Sequence, residues 1–527
     1  MKLYSAFTSW IFMGLLWCST AIAQGGRIKC YFNFPVNASF ASGQPAVYLN
    51  ASFPDTIAAY INRAKYGVDI ALYNYTASAN SNVAKIAFAA NAAAARGVQV
   101  RWIYNGTGST SNTGLNLLSA AVKTFPSVNR SNYIMHNKFV AIDAISPDSA
   151  DAFAITGSYN WSDQQTTRDI NNLLVINSKP VTQAFYQEFN KMWGGTGPNP
   201  VPANAAFGTA KTASAQTQFV VDGKRIEVYF SPKDGLGSKL QNVIQSADND
   251  LFFGVYTFTD IAVANLIISK YNSGLQVRGI VDKFTRLFNA YSLLEAALDS
   301  NMLVKVSNDL YHNKSLVADA LRPDSDPQVY TGSFNWSIQG QNSNDENVVI
   351  VHDAAIANQY YQSLCADFTA LGGLPCVFPP CPGGNTLLSA NVRGNSFQWQ
   401  ADTGNGFADI TDTEWYSRTN TADLLLLNPP SNWYGYRYRC IADGNKISDT
   451  FSLKFTAYWN GSASTSWEEP ANWNCGVLPD AYTDVVINSS VQYFPVVNAS
   501  TICRSLRLNK AATIALMNGV SLVLTGN

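Results

Sequence analysis

Residues 136–143 read His-Asn-Lys-Phe-Val-Ala-Ile-Asp, and residues 312–319 read His-Asn-Lys-Ser-Leu-Val-Ala-Asp. The chain has 3 histidines, and two of them open this same pattern of His, a Lys two residues on and an Asp five further. From residue frequencies, a given histidine would start such a pattern by chance on the order of once in ten thousand. The repetition extends outward. Arg27-Ile28-Lys29-Cys30-Tyr31-Phe32 recurs as Arg225-Ile226-Glu227-Val228-Tyr229-Phe230, and Gly97-Val98-Gln99-Val100-Arg101 recurs as Gly274-Leu275-Gln276-Val277-Arg278. A fixed order of recurring segments is the mark of one duplicated domain. The first copy carries about 20 extra residues near 41–54, a loop rich in Ser, Gly and Asn.

Within each copy, hydrophobic patterning predicts strand, helix and strand: 68–75, 78–96 and 98–104, then 251–258, 261–272 and 275–282. Amphipathic helices over 181–193 and 354–371 close the two copies, and the Gly, Pro, Ala and Thr of 194–217 read as a connecting segment. The fold class expected is α/β, a duplicated layered domain with two pseudo-symmetric halves. After residue 372 the sequence turns to short β-prone runs with Gly, Asn and Pro turns, so all-β C-terminal domains are expected. Phe397-Gln398-Trp399 followed by Tyr436-Arg437-Tyr438-Arg439-Cys440 resembles an immunoglobulin-like sandwich, with Cys381 as the expected disulfide partner of Cys440. Trp459-Asn460-Gly461, Trp467 and Asn472-Trp473 resemble β-rich units of secreted bacterial surface proteins. The expected boundaries are a leader at 1–23, halves at 24–200 and 223–372, a linker at 201–222, the sandwich at 373–456 and a β-rich unit at 457–527.

The leader is read from Lys2 as the sole charge before residue 24, an apolar run over 10–17 and the small-x-small step Ala21-Ile22-Ala23. Export agrees with six cysteines after residue 360, read as disulfide reinforcement, with Cys30 expected unpaired. Overall charge is balanced, 35 Lys+Arg against 36 Asp+Glu, with 47% hydrophobic and 13% charged residues. That composition excludes a polycationic binder and global disorder.

Each His-x-Lys is followed by a second element: Gly157-Ser158-Tyr159-Asn160-Trp161-Ser162 and Gly332-Ser333-Phe334-Asn335-Trp336-Ser337. A lysine two residues on shares the histidine's strand face, and Ser plus Asn add neutral donors, a set suited to a phosphoryl group. A neutral imidazole can attack phosphorus while a second, protonated one gives its proton to the departing oxygen. One copy supplies one histidine, so both copies are expected to face a single site. Trp161 and Trp336 are read as core, and His352 has no pattern around it.

His-x-Lys-x4-Asp followed by Gly-Ser-x-Asn, twice in one chain, resembles the phospholipase D superfamily over residues 27–371. The resemblance implies phosphodiester hydrolysis or transfer through a covalent phosphohistidine, with no metal or other cofactor. Carried onto this sequence, the catalytic set is His136, Lys138, Ser158 and Asn160 with His312, Lys314, Ser333 and Asn335. Asp143 and Asp319 match aspartates that are structural in the family. The 13 and 12 residues between each Asp and its Gly exceed the family's usual spacing and are read as extended hairpins through 147–149 and 323–325. The family also places an acidic residue after Gly-Ser-x-Asn to hold the histidine's other nitrogen. Glu346 takes that place in the second copy and Asn171 in the first. The expectation is therefore that Glu346 lies beside His312, making it the acid, and Asn171 beside His136, making it the nucleophile.

Residues 25–365 hold 25 Lys+Arg and 24 Asp+Glu with no basic run, so the clustered cations of a nuclease groove are missing. No long lipid-binding loop stands out either. The favoured reading is an exported, monomeric phospholipid phosphodiesterase with no transmembrane segment. The alternatives are a secreted nuclease of the same superfamily, or an adhesin that binds a cell-surface partner through its β-domains.

Overall fold

The computed structural model describes residues 26–526, except 42–43, 109, 129–132, 249, 274, 322–324, 374–375, 377–379, 391, 393, 449, 488–490, 492 and 509–511. The expected leader lies outside the described residues, as do Pro323 and Asp324 of the second hairpin.

Each copy is one mixed sheet with helices on both faces. In the first, β1 (Ile28–Phe32), β2 (Gly67–Leu72), β3 (Gln99–Tyr104), β4 (Lys138–Ile142), β5 (Phe153–Gly157) and β6 (Asn172–Asn177) lie in the order β1-β6-β5-β4-β2-β3. In the second, β7 (Lys224–Phe230), β8 (Asp250–Val255), β9 (Gln276–Asp282), β10 (Lys314–Ala318), β11 (Gln328–Gly332) and β12 (Asn347–His352) repeat that order as β7-β12-β11-β10-β8-β9. Helices α1 (Phe53–Asn62) and α2 (Ala84–Ala95) cover the outer face of the first sheet, and α3 (Lys179–Trp193) its inner face. In the second copy, α4 (Leu236–Ser246), α5 (Ile261–Asn272) and α6 (Asn289–Leu298) lie outside and α7 (Ala354–Ala370) inside.

The inner faces share one core. Phe139 of β4 meets Phe185 of α3 at 5.1 Å, Phe185 meets Phe230 of β7 at 5.3 Å, and Phe32 of β1 meets Tyr360 of α7 at 5.1 Å. Each buried aromatic contributes about 1.5–3 kcal/mol by leaving water, so neither half has an inner face suited to solvent. Helix α3 shows how the sequence builds this layer. Pro180 sits in its first turn, where its missing N–H costs nothing, and Val181, Ala184, Phe185, Phe189 and Met192 recur at helical spacing on the buried side. Gly194 ends it at φ +84°, where an added Cβ would overlap the Val201 carbonyl. The segment after it is pinned rather than loose: buried Lys211 pairs with Glu188 of α3 and, at 2.6 Å, with Asp345 of the second copy.

The predicted helix over 78–96 begins later, at Ala84. Ser81 accepts the Ser78 N–H at 2.9 Å and so satisfies the backbone locally instead.

Beyond the duplicated unit, a three-stranded and a five-stranded sheet enclose Trp399, Leu424, Leu426, Tyr438 and Cys440. The expected Cys381–Cys440 bond is not formed. Cys381 bonds Cys475 and Cys365 bonds Cys376, while Cys440 and Cys503 are buried thiols. Cys440 sits in register with Trp399 on the adjacent strand, pointing into the sandwich core, whereas Cys381 reaches the next unit. Cys30 is a thiol too, donating to Gln359 Oε1 at 2.9 Å. The last unit packs Trp459, Trp467 and Trp473 beneath short parallel ladders, beginning with Phe455–Trp459 against Thr483–Ile487. Among the described residues no helix is long and apolar enough to cross a membrane.

Candidate active site

The site is built at one edge of each sheet. Lys138 starts β4 opposite Leu72, the last residue of β2, and Lys314 starts β10 opposite Val255, the last of β8. Strands β5 and β11 arrive at the same edge and end in Gly157 and Gly332. These glycines take φ +149° and +153°, and a Cβ on either would overlap the carbonyl of Asn172 or Asn347 on the neighbouring strand. Only glycine allows so close an approach.

The two edges meet, and the partners cross over. His136 Nδ1 lies 2.7 Å from Glu346 Oε2, and His312 Nδ1 lies 3.0 Å from Asn171 Oδ1. This reverses the expected pairing of His312 with Glu346 and His136 with Asn171. Backbone bonds fix the crossing. His136 N donates to Asp345 O at 2.9 Å, Asp345 N donates to Ile134 O at 3.0 Å, and Ile170 N donates to Leu310 O at 2.9 Å. Each histidine segment thus lies beside the other copy's acceptor segment. Asn172 and Asn347 add further bonds across the boundary. Asn172 donates to Asn313 and accepts from Thr331 at 3.0 Å, and Asn347 donates to Thr156 at 2.6 Å.

The motif serines also differ from expectation. Ser158 Oγ donates to Asn171 at 2.9 Å and accepts Asn172 N–H at 3.1 Å; Ser333 Oγ donates to Glu346 at 2.6 Å and accepts Asn347 N–H at 3.0 Å. Both hydroxyls are therefore occupied in holding the residue that holds the opposite histidine. Asn160 Oδ1 and Asn335 Oδ1 are buried with no hydrogen-bond partner among the described residues. Lys138 and Lys314 donate to the carbonyls of His136 and His312 at 3.0 and 2.7 Å. Asp143 and Asp319 sit at the far ends of β4 and β10, where their carboxylates accept backbone N–H groups, including Tyr66 at 2.7 Å and Asp248 at 3.1 Å. Trp161 and Trp336 are buried against Trp102 and Phe258.

Electrostatics here is dominated by burial. Desolvation, then the charges of Lys138 and Lys314, holds His136 well below the ordinary imidazole range; desolvation and the same two lysines do so for His312. Burial brings Lys138 down to about 7 against the pull of Glu346, and burial, then the charge of Lys138, holds Lys314 well below the ordinary lysine range. Burial raises Glu346 to about 8 although Lys138 opposes it. Two lysines and two imidazoles are buried together with Glu346, so an entering anion would favour their charged forms. Among the described residues no three His, Cys, Asp or Glu side chains are grouped to hold a metal ion.

The family described as "Cardiolipin synthase, PLD-like domain" matches residues 57–193 and 240–367, one stretch in each copy. The chain belongs to this phospholipase D-like family. Relatives include a phospholipase D of Rickettsia prowazekii (strain Madrid E), 26% identical over 144 residues, which are 26% of this chain and 65% of that protein. Another is a mitochondrial cardiolipin hydrolase of Xenopus tropicalis, 28% identical over 131 residues, 24% of this chain and 59% of that protein. Both matches span less than two thirds of the relative's length. Among solved structures, a phosphatidylserine synthase of Haemophilus influenzae Rd KW20 aligns with TM-score 0.45 and 11% identity, covering 64% of this chain and 86% of that one. Residues 458–527 match a family described as a domain of unknown function.

The sequence reading missed one symmetric pair in this phospholipase D-like site. Tyr73 and Tyr256 follow β2 and β8, pack on His136 and His312 at 4.7 and 5.1 Å, and each lies 5.1 Å from the ammonium of Lys138 or Lys314. Alignment of Leu72-Tyr73-Asn74-Tyr75-Thr76 with Val255-Tyr256-Thr257-Phe258-Thr259 was the available signal.

Proposed function

We propose that this chain is an exported phosphodiesterase that cleaves phospholipid diesters through a phosphohistidine, without a metal. The observation that carries the reading is the crossed pair of buried histidines, one on a carboxylate and one on an amide, flanked by two buried lysines. Nε2 of neutral His136 attacks phosphorus. The bond to the departing alcohol breaks, and that oxygen takes the Nε2 proton of His312. His312 then removes a proton from water, whose oxygen attacks phosphorus and releases His136.

The observed contacts give a different reason for this assignment than the expected ones did. A ring that becomes N-phosphorylated while keeping its Nδ1 proton gains positive charge, which the Glu346 carboxylate stabilises as a buried aspartate stabilises imidazolium in a hydrolase triad. The acid must release its proton, and a neutral partner such as Asn171 orients the ring without retaining that proton. Lys138 and Lys314 supply the charge facing the non-bridging oxygens. Export is supported by the leader pattern and by two disulfides.

The test is turnover of bis(p-nitrophenyl) phosphate, phosphatidylcholine vesicles and single-stranded DNA, each with and without EDTA. Hydrolysis of the first two, indifferent to EDTA, is expected. Loss with EDTA and recovery with one metal ion would falsify the metal-free mechanism, cleavage of DNA alone would favour the nuclease reading, and inertness on all three would favour the adhesin.

A further inference from the structure

The two halves share a fold but not a rim. The sheet edge that carries His312 and Lys314 is also where β8, β9 and β11 end. The residues that leave this edge are exposed and apolar: Ile261 at 44%, Phe284 at 43%, Leu287 at 76% and Ile338 at 55% exposure, with Lys283 and Arg286 between them in the turn after β9. The corresponding positions of the first half are polar. Ser78 stands where the second half has Ile261, Asp163 stands where it has Ile338, and the turn after β3 runs through Asn105, Thr107, Thr110 and Asn112. That turn is tied internally, Asn105 Nδ2 donating to Thr107 Oγ1 at 2.6 Å and Asn112 Nδ2 to the Asn105 carbonyl at 3.2 Å. The sheet order is common to both halves, and the rims built on it differ.

The apolar rim is joined to the chemistry. Thr285 Oγ1 donates to the Tyr256 carbonyl at 2.8 Å and accepts the Phe258 N–H at 3.2 Å, fixing the turn to the end of β8. Phe284 stacks on Tyr256 at 6.1 Å and 13°, and Tyr256 packs on His312 at 5.1 Å. An aromatic path therefore runs from solvent to a catalytic histidine. Scattered exposed apolar side chains are ordinary, but a group at the mouth of a site, interleaved with cations, is the composition of a surface that enters a lipid interface.

We propose that the second half's rim seats on an anionic phospholipid surface, with Ile261, Phe284, Leu287 and Ile338 reaching the acyl boundary and Lys283 and Arg286 meeting lipid phosphates. This rests on the lipid-diester reading of the site. The polar rim of the first half stays in water, so the enzyme tilts onto the bilayer by its second half.

The test is co-sedimentation of the full chain with phosphatidylcholine vesicles, with or without phosphatidylglycerol. Leu287→Asp combined with Ile338→Asp should weaken binding by about tenfold or more, and Arg286→Glu should remove the preference for phosphatidylglycerol. Val220→Asp, at a position 74% exposed on a different edge, should change nothing. Parent-like binding by the double variant, or equal loss in Val220→Asp, overturns the proposal. Leu287→Cys carrying a polarity-sensitive fluorophore gives a second readout, and no blue shift on vesicles also overturns it. Soluble bis(p-nitrophenyl) phosphate separates the two readings. A parent active on it but unable to bind vesicles refutes the rim alone, while a parent inert on it refutes the catalytic reading and leaves the binding measurement to decide the rim. The double variant should turn over the soluble diester at the parent rate.

Discussion

Replacing Glu346 by Gln keeps the volume and a hydrogen-bond acceptor beside His136 but removes the charge. Glu346 is fully buried, and its Oε2 lies 2.7 Å from Nδ1. The charge centres of a carboxylate and a charged imidazole ring in such contact are about 4 Å apart, and at an effective dielectric constant of about 20 their attraction is about 4 kcal/mol. If that attraction is realised only as His136 becomes phosphorylated, its loss slows turnover by about a thousandfold. Asn171 offers His312 one neutral hydrogen bond, so Asn171→Ala should cost about 1 kcal/mol, a factor of about five. The measurement is kcat on bis(p-nitrophenyl) phosphate for both variants, with thermal unfolding to confirm the fold. Glu346→Gln within tenfold of the parent, or less damaged than Asn171→Ala, would refute the assignment of the carboxylate to the nucleophile.

The histidines should differ with leaving group: on an activated aryl diester His312→Ala retains much of its activity and His136→Ala does not, and trapped phosphate maps to the peptide containing His136. The reverse pattern would exchange their roles. On the same activated aryl diester, which needs no proton from His312, kcat/KM should peak near pH 7 to 8 and fall on both sides, because protonation of Glu346, raised to about 8, removes the carboxylate, while deprotonation of Lys138, lowered to about 7, removes a phosphate-facing charge. A profile flat from pH 6 to 9 would contradict this. Gly332→Ala should lower stability by about 2 kcal/mol or more, read in urea unfolding, since its Cβ meets a backbone carbonyl that cannot yield. Residues 24–200 and 218–372 expressed separately should each be inactive, and monomeric activity of either at the parent rate would break the shared-site argument.

Much of the fold was legible because it is local. Alternation and helical spacing located the strands that end in Val255 and Asp282 and the helix over Ile261–Asn272, and the repetition of His-Asn-Lys and Gly-Ser placed one set of residues at one edge of each sheet. Where prediction slipped, local competition or distance explains it. Ser81 delayed a helix by capping the preceding turn, and Cys381 found Cys475, 94 residues away, because Cys440 points inward beside Trp399.

The sequence by itself determined that the domain is duplicated, that each copy brings one histidine with a lysine two residues on, and that Glu346 and Asn171 occupy matching places. Only the tertiary structure decided which histidine each of them serves. Spacing along a strand specifies what shares a face within one copy, since side chains alternate with period two. It carries no information about which copy's strand end lies opposite. The shared inner core turns the halves toward each other, so Met135 pairs with Asp345 and Ile170 with Tyr311, and the carboxylate passes from the half that encodes it to the histidine of the other.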